Sequence, residues 1–269
     1  RHYMINKQGV TKHFSRNVST YDEYAVVQKL MASKLGALAQ KQGDFKNILE
    51  IGCGTGFFTE ILAKSFPQAK IRSTDISQEM LNFTQAKLSH YKNITYEQAD
   101  GENYSSGEKF DLIISNAVFQ WFNDYYHAFS KFKDLLTPEG CLVYATFGED
   151  TFWELNNSFN LAKEELALTN TNSHGPAFIS WKNLRKISNA LNFSVSVTEE
   201  KVQEFFPNVK AFLSSVKKVG ANNANNSNKV LINRKLMLKM MEKYARNHGI
   251  IGKIPATYHI IYAGRKVRA

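Results

Sequence analysis

Cysteines and long apolar runs are scarce in this 269-residue sequence, and both scarcities exclude classes of protein. Its two cysteines, Cys53 and Cys141, are too few for a disulfide framework or a four-cysteine zinc site. The sequence contains no run of about 18 apolar residues, which is the length that a membrane-spanning helix needs. The N-terminal stretch also lacks the apolar segment of a secretory signal peptide. Together these features predict a reduced, cytoplasmic globular protein.

Acidic residues are nearly missing from the last quarter of the chain. Residues 201–269 contain 14 Lys or Arg but only Glu204 and Glu242, which gives +12, whereas the first 200 residues carry −2 of the chain's net charge of +10. Such asymmetry favours an anionic partner through electrostatic steering. On charge alone, nucleic acid and a small acidic carrier protein fit equally well, and a solvated basic surface without a partner is the alternative.

Strands alternate with helices in the first half of the sequence. Apolar segments predict strands at 48–51, 71–75, 94–98, 110–115 and, after a turn at 137–140, 141–147. Helices are predicted at about 19–42, 57–66, 77–89 and 124–136, with Ser77 as the cap of the third. This order predicts right-handed βαβ units and a doubly wound, mostly parallel α/β sheet covered on both faces.

The second half departs from this alternation. Helices are predicted at about 151–168, 180–191, 208–219 and 231–245, and strands at 193–203 and 258–264. We interpret the helices as insertions that cap a sheet completed by the last two strands. Insertions at a sheet edge are common places for substrate specificity.

The sharpest local motif is a glycine-rich turn between the first strand and its helix. Gly52, Gly54 and Gly56 follow the strand directly. Glycines here allow a sharp turn and let a ligand lie against bare backbone. The helix that follows adds unpaired N–H groups and partial positive charge.

Polar residues end the neighbouring strands at the same sheet edge. Asp75 ends the second strand, where a carboxylate can accept both hydroxyls of a ribose. Asp100 follows the third strand, and residues 116–121 leave the fourth. Ligands of open α/β sheets bind at these carboxyl ends. Taken singly, Asp75 could be a neighbour of a helix cap and Asp100 a turn residue.

These motifs as a set resemble the class I S-adenosylmethionine methyltransferases over about residues 46–147. The resemblance implies a seven-stranded Rossmann-like sheet with an antiparallel last strand. It implies S-adenosylmethionine as cofactor, S-adenosylhomocysteine as product and no metal. It also implies the following cofactor contacts: Glu50, Gly52, Cys53 and Gly54 near the methionine part, Asp75 on the ribose, Ile76 and Met80 around the adenine, Asp100 and Gly101 at its edge, and Asn116 and Ala117 beyond the fourth strand.

Further segments resemble a narrower family, the malonyl-acyl-carrier-protein O-methyltransferases of biotin synthesis. They are an N-terminal pattern from Phe14 to Ala32, residues 116–121 and 146–155, and the C-terminal segments 216–224 and 256–262. The match extends over nearly the whole chain. The Gln120-Trp121 pair also resembles trans-aconitate methyltransferase, so a small-molecule carboxyl methyltransferase stays an alternative. An RNA methyltransferase is a weaker alternative, since no amino-methylating or base-attacking motif is present.

The predicted chemistry is methylation of a free carboxylate, which is ionised at neutral pH and needs no general base. Tyr21 and Gln120 are the candidate catalytic residues, and Tyr21 is also expected to close over the cofactor and to hydrogen-bond the malonyl carboxylate. Trp121, Tyr144 and Phe147 are candidate walls of the substrate site. Arg16 could neutralise the methionine or malonyl carboxylate. Tyr21 as a packing aromatic and Trp121 as a core residue are the structural alternatives.

The family resemblance also predicts four segments and a partner. Residues 1–45 are expected to form a helical cap over the active site, residues 46–147 the cofactor-binding core, and residues 148–192 a helical lid. Residues 193–269 complete the sheet and carry a basic helical insertion at 204–247. Acyl carrier protein is the expected partner, through a basic group of side chains: Lys210, Lys217, Lys218, Arg234, Lys235 and Lys239.

Overall fold

The computed structural model describes residues 4–169, 177–219 and 234–267. Seven strands form one sheet. They are β1 (Asn47–Ile51), β2 (Lys70–Asp75), β3 (Ile94–Gln98), β4 (Phe110–Asn116), β5 (Leu136–Phe147), β6 (Phe193–Phe206) and β7 (Ile254–Val267). Their order is β3-β2-β1-β4-β5-β7-β6, and β7 runs antiparallel to both of its neighbours. The predicted mostly parallel sheet with an antiparallel last strand is therefore confirmed.

Helices cover both faces of this sheet. Those in the first half are α1 (Lys7–Arg16), α2 (Val18–Tyr24), α3 (Val26–Gln42), α4 (Phe57–Ser65), α5 (Gln78–Lys87) and α6 (Tyr125–Leu135). Those in the second half are α7 (Trp153–Glu165), α8 (Trp181–Ala190), α9 (Val209–Lys218) and α10 (Arg234–His248). One buried cluster joins α3, α4, α7, α9 and α10 to one face, and a second joins α6 and α8 to the other.

Parts of the chain differ from the sequence prediction. The helix expected at 19–42 is divided at Ala25, and a further helix, α1, precedes it. The turn expected at 137–140 lies inside β5, where the register against β4 shifts between Phe110 and Leu112. This irregularity lets the turn residues stay in the strand. The asparagine-rich loop at 220–228 lies outside the described residues.

The sheet grows in one direction from β1 to β3 and in the other direction from β4 onward. β1 pairs with β2 on one side and with β4 on the other, and both pairings are parallel. The chain leaving β1 and the chain leaving β4 therefore turn to opposite faces, which opens a crevice at their carboxyl ends. The N-terminal helices lie over this crevice, as the contacts of α1 and α2 with α5 indicate.

Candidate functional site

The crevice holds a cavity of about 950 Å³, including its open mouth. Its floor is made by the chain segments that follow β1, β2, β3 and β4. Its roof comes from α1, α2 and the start of α3. The predicted site residues that line it are Tyr21, Gly52, Cys53, Gly54, Asp75, Ile76, Met80, Asp100, Gly101, Asn116, Ala117 and Trp121. Tertiary structure thus brings residues from five separate parts of the chain together.

The glycine turn forms the floor of the cavity in a left-handed backbone conformation. Gly52 and Gly54 have φ values of +76° and +54°, which favour glycine. A Cβ added to Gly52 would lie 2.3 Å from a methyl group of Val118. A Cβ added to Gly54 would meet no atom within 4 Å. Gly52 is therefore required for packing, whereas Gly54 presents bare backbone to the cavity.

Asp75 stands at the end of β2, buried beside this turn. Its Oδ2 accepts a hydrogen bond from Gly54 N and its Oδ1 accepts one from Ser77 N, both at 2.9 Å. Burial raises the pKa of Asp75 to about 6, against the opposing effect of these backbone hydrogen bonds. Each oxygen keeps a lone pair, so the carboxylate can still accept two ligand hydroxyls.

Asp100 lines the cavity after β3 and is ion-paired to the roof. Lys7 Nζ lies 3.3 Å from Asp100 Oδ1 and 2.8 Å from Glu102 Oε1. Lys7 Nζ also lies 5.3 Å from the ring centroid of Phe122. Lys7 is a cavity residue that the sequence analysis missed, because nothing in the motif pattern linked α1 to the third strand.

Asn116 and Ala117 shape the wall where β4 ends. Asn116 Nδ2 donates to the backbone oxygen of Gln28 at 3.0 Å, while its Oδ1 is buried without a described partner. Ala117 has φ of +57°, a conformation that costs of order 1–3 kcal/mol for residues other than glycine. Its N–H donates to Ala145 O at 2.8 Å, which holds the strained turn in place.

Tyr21 extends the roof over the glycine turn. Its ring lies 6.3 Å from that of Phe14 in an edge-to-face arrangement. Burial raises the pKa of Tyr21, and the negative charges of Asp75 and Asp22 raise it further. The hydroxyl is therefore neutral at physiological pH and can act as a hydrogen-bond donor. Asp22 Oδ1 accepts a hydrogen bond from Thr55 Oγ1, which ties α2 to the turn.

Glu50 lies behind the glycine turn and does not line the cavity. Its Oε1 accepts from Thr59 Oγ1 at 2.6 Å and from Ser73 Oγ at 2.7 Å. Its Oε2 is buried without a described partner. Burial raises the pKa of Glu50 to about 7, more than the two hydroxyl hydrogen bonds lower it. These hydrogen bonds link the end of β1 to α4 and to β2.

Besides Glu50, four predicted site residues do not line the cavity. Arg16 is exposed, because it follows Phe14 by two positions and so faces away from the roof side of α1. Gln120 turns its amide to Ala117 O, with a 2.7 Å hydrogen bond. Tyr144 and Phe147 are core residues of β5. The Tyr144 hydroxyl accepts hydrogen bonds from Arg265, and Phe147 packs against Phe178 and Tyr258.

Helix α3 contributes cavity residues that the sequence analysis did not assign to the site. They are Ala25, Gln28, Lys29 and Ala32, which recur at helical spacing along one face of the chain. That spacing was visible in the N-terminal pattern. What the sequence could not show is that this face of the helix points to a ligand site rather than wholly into the core.

Metal ligation has no support within the described residues. They contain no group of three or more His, Cys, Asp or Glu side chains placed to hold an ion. Both cysteines are free and buried, and burial raises the pKa of each thiol. No helix among residues 4–169, 177–219 and 234–267 is long and apolar enough to span a bilayer.

Known proteins resemble this chain in sequence and in fold. A family model described as a methyltransferase domain matches residues 49–142. The malonyl-[acyl-carrier protein] O-methyltransferase of Priestia megaterium is 38% identical, over 96% of this chain and 97% of its own length. That of Acetivibrio thermocellus is 36% identical, over 96% and 93%.

Two solved structures show the same architecture at low sequence identity. The YcgJ protein from Bacillus subtilis has a TM-score of 0.62 at 13% identity, covering 88% of this chain and 99% of its own. The plantazolicin methyltransferase BpumL in complex with SAH has a TM-score of 0.57 at 13% identity, covering 97% and 95%. At such identities these two structures support the fold alone.

Proposed function

This chain belongs to the family of malonyl-[acyl-carrier protein] O-methyltransferases, and on that premise we propose which reaction its cavity carries out. The reaction is transfer of a methyl group from S-adenosylmethionine to the free carboxylate of a malonyl thioester on acyl carrier protein. It is an early step of biotin synthesis. The observation that carries the proposal is a covered cavity in which Gly54 offers bare backbone beside the buried Asp75.

The residues at the cavity floor fit this cofactor. Asp75 can accept the ribose hydroxyls, and Ile76 and Met80 provide apolar surface for the adenine beside Asp100. The buried Oδ1 of Asn116 accepts no hydrogen bond from the described residues and suits the ammonium of the methionine part. When bound, the cofactor supplies an electrophilic methyl group on a sulfonium, together with a neutral leaving group.

The protein's task is to hold and desolvate the acceptor. A carboxylate is already ionised at neutral pH, so no base has to remove a proton. Alignment of the reacting atoms can contribute roughly 7–11 kcal/mol. The walls formed by Phe14, Phe57, Phe58 and Trp121 exclude water from one side of the carboxylate. Tyr21 closes the roof and presents a neutral hydroxyl.

We propose that the carrier docks beside the roof, on the exposed lysines of α9. Lys210 and Lys217 are exposed there, and His13 of α1 lies against the backbone of Lys217. We leave Lys239 out of the proposed docking surface, because its charge is already paired with Glu165 at 3.2 Å and Glu242 at 3.1 Å. Positive side chains beside the mouth would steer an acidic carrier toward the cavity. We also propose a cytoplasmic location, consistent with two unpaired cysteines.

An acceptor panel tests the function. The purified protein is incubated with labelled S-adenosylmethionine and malonyl-carrier protein, malonyl-CoA, trans-aconitate or bulk RNA. We expect methyl transfer to malonyl-carrier protein with the highest kcat/KM, and a product that base hydrolyses to methanol, as an ester does. Faster methylation of trans-aconitate or of RNA, or no transfer to any malonyl thioester, would contradict the proposal.

A further inference from the structure

Two neutral N–H donors of the cavity have no partner among the described residues. Gln28 and Trp121 both line the cavity, and only 8% and 6% of their surfaces are exposed. Neither the Gln28 amide nor the Trp121 indole N–H makes a hydrogen bond within the described part of the chain. Polar groups of largely buried side chains are nearly always hydrogen-bonded, to the protein, to water or to a ligand. Unpartnered donors at a cavity wall therefore indicate a ligand acceptor.

Several polar groups of the cavity already have partners in the protein. Asp75 accepts two backbone hydrogen bonds, and Asp22 accepts one from Thr55. Lys7 is ion-paired with Asp100 and Glu102. The Gln28 and Trp121 donors differ from these groups in having no partner among the described residues.

Both donors are held by rigid parts of the fold. The backbone of Gln28 is tied to the end of β4, because Asn116 Nδ2 donates to its carbonyl oxygen. Trp121 follows the same strand in a short 3₁₀ helix, and its ring lies 5.8 Å from that of Phe14, edge to face. Both therefore depend on the end of β4 for their positions. Fixed donors of this kind lose little entropy when they bind a ligand.

We propose that Gln28 and Trp121 bind the carboxylate that accepts the methyl group. This inference rests on the proposed function and assigns the acceptor subsite within it. N–H donors on one carboxylate oxygen orient the group and leave a lone pair on the other oxygen free. That lone pair forms the new C–O bond while the C–S bond breaks and its electrons remain on sulfur. The negative and positive charges are both lost, and no proton moves.

Neutral donors suit this reaction better than a cation does. Lys29 lines the same cavity, and its Nζ lies 5.6 Å from the ring centroid of Phe57 with no carboxylate partner among the described residues. A lysine bound directly to the acceptor would stabilise the charged carboxylate more than a transition state in which that charge is disappearing. Amide and indole donors lose less as the ester forms. We therefore assign the acceptor to Gln28 and Trp121 rather than to Lys29.

Three variants and a matched control test this subsite. Gln28→Glu keeps the shape but places a like charge on the acceptor, Gln28→Ala removes the amide, and Trp121→Phe keeps an aromatic ring without the N–H. Gln40→Glu makes the same chemical change at an exposed position of the same helix. The measurements are kcat and KM with malonyl-carrier protein, calorimetric affinity for S-adenosylmethionine, and inhibition by acetyl-carrier protein, which lacks the carboxylate.

The variants should act less efficiently on the acceptor while binding the cofactor as the parent does. We expect kcat/KM to fall at least about 100-fold in Gln28→Glu and about 10-fold in Gln28→Ala and Trp121→Phe. Affinity for S-adenosylmethionine and inhibition by acetyl-carrier protein should stay within about twofold of the parent. Gln40→Glu should match the parent throughout.

Several results would overturn the inference while leaving the proposed function intact. One is unchanged kcat/KM in the Gln28 variants of an enzyme that does methylate malonyl-carrier protein. Another is an equal loss of cofactor affinity and of acetyl-carrier inhibition, which would assign both residues to folding or to the cofactor. A third is a loss of kcat/KM in Lys29→Met that is larger than the loss in any of the three variants. A parent protein that methylates no malonyl thioester would instead reject the proposed function itself.

Discussion

Lys7 and Asp100 join the first helix of the chain to the end of the third strand. Lys7 Nζ lies 3.3 Å from Asp100 Oδ1, and the pair is only partly exposed. The contact spans 93 positions in the sequence and ties a side chain of the roof to the cavity floor. The position of α1 over the cavity therefore depends in part on this ion pair.

Loss of the Lys7 ion pair should loosen the roof. In Lys7→Met we expect faster amide exchange over Lys7–Arg16 and a cofactor dissociation constant raised about three- to tenfold, the scale of one charge-assisted contact. Hydrogen exchange by mass spectrometry and calorimetry measure the two effects. Lys12→Met, at an exposed position of the same helix, is the control. Parental exchange rates in Lys7→Met would show that the pair does not hold α1.

Asp75→Asn should weaken cofactor binding while keeping the shape of the side chain. Removing the charge from an acceptor of ribose hydroxyls should raise the dissociation constant for S-adenosylmethionine about 10- to 100-fold. Calorimetry measures this change, with the exposed Asp44→Asn as the control. Binding at parental affinity by a folded Asp75→Asn protein would refute the assigned ribose contact.

Two glycines two positions apart should respond differently to alanine. A Cβ at Gly52 would overlap Val118, so Gly52→Ala should lower Tm markedly. A Cβ at Gly54 meets no atom within 4 Å. Gly54→Ala should therefore lower the free energy of unfolding by only about 1 kcal/mol, because alanine is strained in this left-handed backbone conformation. Its main effect should be loss of cofactor affinity, by calorimetry. The opposite ranking of Tm and affinity would show that Gly54 does not face the ligand.

The stability of the cofactor-free protein should fall as pH rises from about 4.5 to 7. Burial raises the pKa of Glu50 to about 7 from a usual 4.5, so the folded protein holds this proton more tightly than the unfolded chain. Unfolding then releases the proton within that window, and the free energy of unfolding decreases with pH. The group contributes up to about 3 kcal/mol to this decrease.

Glu50→Gln removes that titration and should flatten the curve, whereas Glu139→Gln, at an exposed site, should not. Urea unfolding between about pH 4 and 8 measures the difference. Asp75, whose pKa burial raises to about 6, gives a slope of the same sign that remains in the Glu50 variant. Parallel curves for the parent and Glu50→Gln would contradict the assignment.

Charge reversal on α9 should affect the carrier-bound substrate alone. In Lys210→Glu/Lys217→Glu we expect a KM for malonyl-carrier protein raised about tenfold at low salt and a smaller effect at high salt. The KM for malonyl-CoA should change less than about twofold, because no acidic protein surface is involved. Lys182→Glu/Lys186→Glu, two exposed positions on α8, is the control. An equal response of both double variants would place the docking surface elsewhere.

Local sequence patterns were sufficient to predict the alternating sheet and the floor of the site. Apolar segments ending in Gly52 or Asp75 mark strand ends, and parallel strands bring their carboxyl ends to one edge whatever the details of packing. Local chemistry also predicted the Ser77 cap, whose hydroxyl accepts from Met80 N. These features depend on residues near one another in the chain, so pattern and spacing were sufficient.

The side chains that complete the cavity could not be predicted from local patterns, because long-range packing selects them. Tyr144 and Phe147 sit on a strand next to the site yet point into the core, and Gln120 is drawn to Ala117. Conversely, Lys7, Gln28 and Lys29 reach the cavity from helices whose docking depends on contacts distant in sequence, such as those with Asp100 and Asn116. A helical face that meets a ligand and one that meets the core share the same periodicity, and only long-range packing separates them.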